Sequence, residues 1–405
     1  MTGLLSGLRV LDFSRVLSGP WASQMLADLG AEVVRIEQPG NLDQFRVVPP
    51  QLMDAEGKRS WESALYLGTN RNKKSVSLDF SKPEGRAVIE KIAAQSDIVL
   101  ENFRAGYLGR RGLGYDDLKK INPGRIYCSI SGFGQDGPYK DRAGYDSTFQ
   151  AVSGMMSFTG QPDGTPGDGP MRTGPSFCDF GAAMYAVIGI LAALHHRTAT
   201  GQGQYIDVSM MDTTLAMISH HVMSFMVGGE MPKRVGNDSP FAAPLGVFPC
   251  ADQLVTINAA AEDKFLALCD ALEAPQLKTD PRFERRLRVG NKAALNAEIE
   301  QRTKTWKAAD LLQVLADKGV PSAPINDIGQ ALNDPQTKHR NMVREVPHPL
   351  APDLKMVANP LRFSATPLTR YDAPPLLGQH TDEVLRDLAG ASPDDIARLR
   401  GNGLI

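Results

Sequence analysis

The chain has 405 residues, 42% of them apolar and 22% charged, enough for a sizeable core and, at about 150 residues per domain, for two or three domains. Its 38 glycines and 28 prolines fall well short of a low-complexity composition, which excludes disorder over most of the length. Lys and Arg number 44 against 46 Asp and Glu, a formal charge of -2, so no global basic field points to nucleic acid, although a few placed arginines would still serve a small anion.

The first third alternates strand and helix patterns. Leu8–Phe13 reads as a strand, followed by a helix through Trp21–Leu29 that opens on Gly19-Pro20, with the proline in the first turn where it is tolerated. Gly30 closes that helix, and Glu32–Ile36 is the next strand. The unit repeats as strand Ser75–Leu78, helix Pro83–Ala94, strand Ile98–Leu100, helix Tyr115–Lys120 and strand Arg125–Ser131. Such alternation implies right-handed crossovers and a doubly wound parallel sheet covered on both faces.

A Gly/Pro-rich loop, Gly160–Pro175, precedes a helix over Asp179–His196 that is apolar around most of its circumference and so reads as buried. Its apolar core, Ala182–Leu194, is shorter than the about 20 residues that span a bilayer. Strand Gln204–Val208 and helix Met211–Val227 follow, then a polar linker over Gly228–Pro240. Strand Leu254–Asn258 and helices at Glu262–Leu272, Asn291–Arg302 and Ala308–Lys318 suggest a smaller α+β domain. Beyond Ile325 come Pro-rich loops, short strands near Val343 and Met356, and helices starting at Thr381 and Ser392. The expected division is 1–227, 228–325 and 326–405.

The four cysteines, Cys128, Cys178, Cys250 and Cys269, have neither C-x-x-C spacing nor a His at ligand spacing, which argues against a disulfide framework and a zinc site. The start MTGLLSGLRVLDFS lacks the layout of a secretory signal. The expectation is a cytoplasmic protein with no bound metal, no membrane and no nucleic-acid partner.

Chemistry in a doubly wound sheet is sought first at the turn after strand one. Here it reads Ser14-Arg15-Val16-Leu17-Ser18-Gly19-Pro20, without G-x-G-x-x-G or a P-loop, which weakens a nicotinamide dehydrogenase reading. Asp179 heads the apolar helix, where an aspartate is ordinarily just an N-cap. Its functional reading is a carboxylate kept ionised by the helix dipole yet shielded from water, able to attack an activated acyl carbon. The pairs His195-His196 and His220-His221 point about 100° apart on a helix and read as structural, as does His380. Cys178 has no evident histidine partner, so a thiol nucleophile is a weak reading.

These residues, taken together, resemble the family III CoA-transferases end to end. The matching pieces are Val10–Phe13 with Gly19-Pro20, Leu29–Ala31 to Ile36-Glu37, Asn70–Ser75 with Leu78-Asp79, and Glu101–Phe103 with Arg110. Further along come Gly132 to Gly137, Tyr145-Asp146, Asp179 with Gly181 and Tyr185, Gly201 to Gly203, and Leu377–Thr381. The resemblance implies a Rossmann-like α/β large domain built from both chain ends, an inserted smaller α+β domain, and an interlocked homodimer. It places the nucleophile at Asp179 and lays CoA along Val16, Leu17, Ser18, Leu78, Asn102, Phe103 and Arg110, with Tyr145 and Asp146 lining the site. CoA and its esters would be substrates, with no tightly bound cofactor. Two departures stand out: a CoA-binding arginine and lysine of the family fall at Gln38 and near Ala143, and a glutamine beside the thioester falls at Leu17. Arg35, Arg104 and Arg111 are the alternatives for the phosphates.

The implied reaction moves CoA from an acyl-CoA to a free carboxylic acid through an aspartyl anhydride and an aspartyl thioester. Backbone N–H groups of the Val16–Ser18 turn would steady the oxyanion, and the Gly160–Pro175 loop and the partner subunit would exclude water. Arg46 and Arg172 are candidates to pair with the far carboxylate of a dicarboxylate such as succinyl-CoA, against the alternative that each is a surface ion pair. The rival on the same fold is an α-methylacyl-CoA racemase, which needs an acid/base histidine where this chain has Tyr145; phenols in general are poor bases at neutral pH. A second rival is a non-catalytic acyl-CoA-binding protein, against which Asp179 argues.

Overall fold

The computed structural model describes residues 3–54 and 56–405. The alternating pattern of the first third builds one sheet of six parallel strands: β1 (Arg9–Asp12), β2 (Glu32–Glu37), β3 (Lys73–Ser77), β4 (Ile98–Glu101), β5 (Ile126–Ser131) and β6 (Tyr205–Ser209). Their order across the sheet is β3-β2-β1-β4-β5-β6, so the winding direction reverses between β1 and β4. That reversal opens a crevice at the carboxyl ends of these two strands.

Side chains alternate between two apolar layers. One face of β1, β4, β5 and β6 packs Val10, Leu100, Cys128, Ile130 and Val208 against α1 (Ser18–Asp28) and the long helix Phe177–Thr200. The other face packs Leu11, Val99 and Tyr127 against α2 (Pro83–Ala94) and α3 (Tyr115–Ile121). Two further helices complete the frame of the site, α4 (Asp146–Val152) before the long helix, which becomes α5, and α6 (Met210–Met217) after β6.

The end of the chain returns to this sheet. The helix Thr381–Ala389 adds Val384, Leu385 and Leu388 to the second layer. Along the edge strand β3, Ser75 N–H donates to His380 Nδ1 at 3.2 Å and Ser77 N–H to Thr381 Oγ1 at 3.0 Å, which occupies donors that an edge strand would otherwise expose. His380 is thus a structural acceptor.

Two compact units result. The first comprises residues 3–153, 173–223 and 338–405, and the second comprises 154–172 and 224–337. The second unit begins four residues before the expected 228, runs past 325, and takes in most of the Gly160–Pro175 loop. The reason is local hydrogen bonding: Gly236 N–H donates to the Gly160 carbonyl, and Arg234 to the Ser157 carbonyl and the Asp163 carboxylate. This unit holds an antiparallel sheet of Leu245–Pro249, Leu254–Asn258 and Ser322–Pro324 over a core that includes Phe248, Phe265, Leu295 and Leu311.

α5 runs 24 residues and is apolar and long enough, by composition, to cross a bilayer, more than the stretch Ala182–Leu194 suggested. Ala182, Ala183, Ala186 and Ile190 are fully buried, so one face of this helix belongs to the core, while the expectation that it is buried all round does not hold. The hairpin Gln51–Met53/Arg59–Ser63 was not anticipated from the sequence.

Candidate active site

The turn after β1 is rigid despite having no glycine bed. Asn102, just beyond β4, holds the backbone of Arg15 on both its peptide groups: its Oδ1 accepts from Arg15 N–H at 2.8 Å and its Nδ2 donates to the Arg15 carbonyl at 2.7 Å. The same Nδ2 reaches Ser18 Oγ at 3.2 Å. Val16 is held at φ 67°, a strained conformation for a β-branched residue, with its N–H on the Asp43 carboxylate at 3.0 Å. Gly19 lets α1 press on the turn, since a Cβ there would lie 2.2 Å from Ser14 Cβ.

Asp179 is not an N-cap. It is the third residue of α5, whose N-cap Ser176 makes no side-chain capping bond. The cap comes from Asp146 on α4: its Oδ1 accepts from Cys178 N–H at 2.7 Å and from Asp179 N–H at 3.3 Å. Gln150 Nε2 donates to the other oxygen at 2.5 Å, and Gln150 Oε1 accepts from Thr173 N–H at 2.9 Å. One carboxylate therefore ties α4, the loop before α5 and the start of α5 together.

This arrangement reverses the electrostatics expected of Asp179. The helix N–H groups that would have favoured its charge are already bonded to Asp146. Burial, and then the negative charge of Asp146, lift Asp179 to about 7, opposed by hydrogen bonds from the Ser18 hydroxyl and N–H. The neighbouring Cys178 is buried, which pushes its thiol up to about 12, out of range for a nucleophile at neutral pH.

Asp179 faces a cavity of about 280 Å³ shared with Val16, Ser18, Asn102, Phe103 and Tyr145. With Arg104, the cavity brings together seven of the residues singled out from the sequence. Leu17 is buried at the start of α1, and Arg110 is exposed with its Nη1 on the Ala105 carbonyl at 3.2 Å; neither lines it. Leu78 is fully buried in the second apolar layer. Asp146 acts through the helix cap and does not line the cavity. The Val16 and Ser18 N–H groups are engaged by Asp43 and Asp179, so an oxyanion would have to compete for them.

The two dicarboxylate candidates differ in their surroundings. Arg46 is fully buried: it bonds Glu37 at 2.6 and 2.7 Å and Glu62 at 3.0 Å, and stacks on the Tyr66 ring at 3.6 Å. Its fork is saturated within the protein, and it cannot receive a substrate carboxylate. Arg172 is exposed and belongs to the second unit. Arg35 is likewise buried, against Asp43 and Asn70, and Arg111 lies over the Tyr107 ring. The cations that do line the cavity are Arg104, Lys140 and Arg142, all exposed. None has a carboxylate within ion-pair distance among the described residues. The segment Lys140-Asp141-Arg142, two cations close before Tyr145, was the overlooked signal in the sequence.

The sequence profile of CoA-transferase family III matches residues 5–381. The succinate–glutarate CoA-transferase of Agrobacterium fabrum is 38% identical over 386 residues, covering 95% of each chain. The human succinyl-CoA:glutarate CoA-transferase is 34% identical over 402 residues, covering 99% of this chain and 90% of the relative. Among solved structures, a CaiB/BaiF family protein from Brucella suis superposes with a TM-score of 0.86 at 38% identity, over 96% of this chain and all of the other. A turn clamped by Asn102, a half-buried aspartate facing it, and agreement along nearly the whole sequence lead to one conclusion: the chain belongs to the family III CoA-transferases.

Proposed function

We propose that the protein transfers CoA between dicarboxylic acids, with Asp179 as the covalent carrier. The observation that carries this reading is the Asp179 carboxylate, lifted to about 7 in a cavity lined by Arg104, Lys140 and Arg142. The relatives' names, succinate–glutarate and succinyl-CoA:glutarate CoA-transferase, supply the acid class.

In the first step an Asp179 oxygen bonds to the thioester carbonyl carbon and the C–S bond breaks, leaving an acyl-aspartyl anhydride and CoA thiolate. The thiolate then attacks the aspartyl carbonyl, releasing the donor acid and forming an aspartyl-CoA thioester. The acceptor carboxylate attacks that thioester to give a second anhydride, and the returning thiolate takes the new acyl group and frees Asp179. No proton is consumed overall. A partly desolvated carboxylate suits this role, because each bond it forms removes a charge that burial disfavours. Arg104, Lys140 and Arg142 would pair with the anionic groups of CoA and of the free acid.

A homodimer is part of the proposal. Met184, Tyr185, Ile188 and Leu191 leave one side of α5 apolar and exposed, the kind of surface a second copy covers.

Incubation with succinyl-CoA and glutarate, followed by mass spectrometry, should show glutaryl-CoA, and Asp179→Ala should abolish it. Full exchange by that variant would overturn the reading, as would deuterium exchange at the α-carbon without CoA movement.

A further inference from the structure

A second cavity, of about 450 Å³, opens on the other face of the sheet. Glu101, Ser129 and Asp207 stand in register across the carboxyl ends of β4, β5 and β6. By strand alternation they share a face with Val99, Tyr127 and Tyr205, opposite the face that packs on α5. Four tyrosines contribute walls, Tyr107, Tyr115, Tyr127 and Tyr205, and the Tyr205 ring lies 5.5 Å from Tyr115 and 5.8 Å from Tyr127.

The charged side chains that line this cavity are all acidic. Glu101 is only 5% exposed; it accepts from Phe103 N–H at 2.7 Å and from the Ser129 hydroxyl, and has no cationic partner among the described residues. Burial, then the nearby Asp207, lift it to about 7. Asp116 and Asp117 line the cavity as well, and no lysine or arginine does. Gln135 adds a buried Nε2 donor with no acceptor. Such walls repel the phosphates of CoA. No group of three or more His, Cys, Asp or Glu side chains placed to hold a metal ion occurs among the described residues, and walls of aromatic rings suit an organic cation. Tyrosine faces attract cations through the ring quadrupole, and two of these rings already do so: Arg111 lies 3.8 Å over Tyr107 and Lys119 lies 5.3 Å from Tyr115.

We propose that this cavity is a binding site for a small organic ammonium carrying an oxygen acceptor, its charge on Glu101, its hydrocarbon against the tyrosines and its oxygen on Gln135. Glu101 also holds the Phe103 N–H, so the occupant would share a wall with the CoA cleft while remaining separate from it.

Titration with ethanolamine at pH 8, followed by calorimetry and ligand-observed NMR, tests this. Ethanolamine should bind saturably, and ethylene glycol, of the same size without the charge, should not. Glu101→Gln, which keeps the shape and the acceptor for Phe103, should weaken binding by about tenfold or more, the loss of one charged hydrogen bond. Tyr115→Leu, at the partly exposed rim, should weaken it by roughly threefold or more, and Asp179→Asn should leave it unchanged. Absence of saturation by ethanolamine, equal binding of ethylene glycol, or unaltered affinity in Glu101→Gln would each overturn the assignment.

Discussion

Replacing Asp146 by asparagine separates the helix cap from its charge. The new side chain keeps an oxygen for the Cys178 and Asp179 N–H groups that now sit 2.7 and 3.3 Å from Oδ1, so the start of α5 is preserved. The negative charge of Asp146 is one of the two causes that lift Asp179; for any two like unit charges about 6 Å apart at an effective dielectric of about 20, the repulsion is about 3 kcal/mol, or about two pKa units. Solvent at the half-buried Asp179 reduces that to about one unit. In the native protein burial and Asp146 lift Asp179 to about 7, so its attack fades as pH falls through that region. The acid limb of kcat/KM should therefore move down by about one unit in Asp146→Asn, measured as initial rates of CoA exchange at low acyl-CoA over about pH 5 to 9. The amide mismatches Gln150 Nε2, which now donates at 2.5 Å; the lost bond costs about 1 kcal/mol of stability and lowers the amplitude without moving the midpoint. An acid limb that stays in place or moves upward would refute the coupling.

The same shift makes a stability prediction. Asp179 titrates higher in the folded chain than in the unfolded one, so stability falls as pH rises from the ordinary carboxylate range through about 7. Asp179→Asn should melt above the native protein at pH 8 and level with it near pH 4; calorimetry showing equal differences at both would contradict this. Arg46→Met strands Glu37 and Glu62 and should cost about 3 to 5 kcal/mol in denaturant titrations, while the KM for a dicarboxylate stays within about twofold; a large KM effect would return Arg46 to the site. Alanine at Arg104, Lys140 or Arg142 should raise the KM for acyl-CoA by roughly tenfold where a charged hydrogen bond is lost; three unchanged values would remove these cations from the reading. Gly19→Ala drives a Cβ to 2.2 Å from Ser14 Cβ and should destabilise by about 1 to 3 kcal/mol, seen as a lowered Tm.

The sheet was readable because its signals are local. Pro83 at the first turn and an apolar stripe through Ile89 and Ile92 define a helix whose observed limits, Pro83–Ala94, equal the expected ones. The site was readable only in part. Asn102, Asp146 and Asp179 stood out through the family's motif, but the role of Asp146 did not: it caps the helix of Asp179 and adds to the lift that burial gives it from 33 residues earlier, and no periodicity connects the two. Arg46 sits in a polar stretch that looks like surface; its burial follows from Glu37, Glu62 and Tyr66 converging from separate elements. Lys140 and Arg142 occupy a loop without a repeating pattern, and only the folded chain brings them beside Arg104.

The bond between Ser77 and Thr381 spans 304 residues, and this has a consequence for biosynthesis. A ribosome adding about 5 to 20 residues per second needs roughly 15 to 60 s to deliver the second partner after the first. Throughout that interval the nascent polypeptide presents an incomplete β edge, a surface prone to wrong pairing. The route of the chain, rather than any weakness in the finished core, predicts chaperone dependence during translation and insolubility on truncation of the last 30 or so codons.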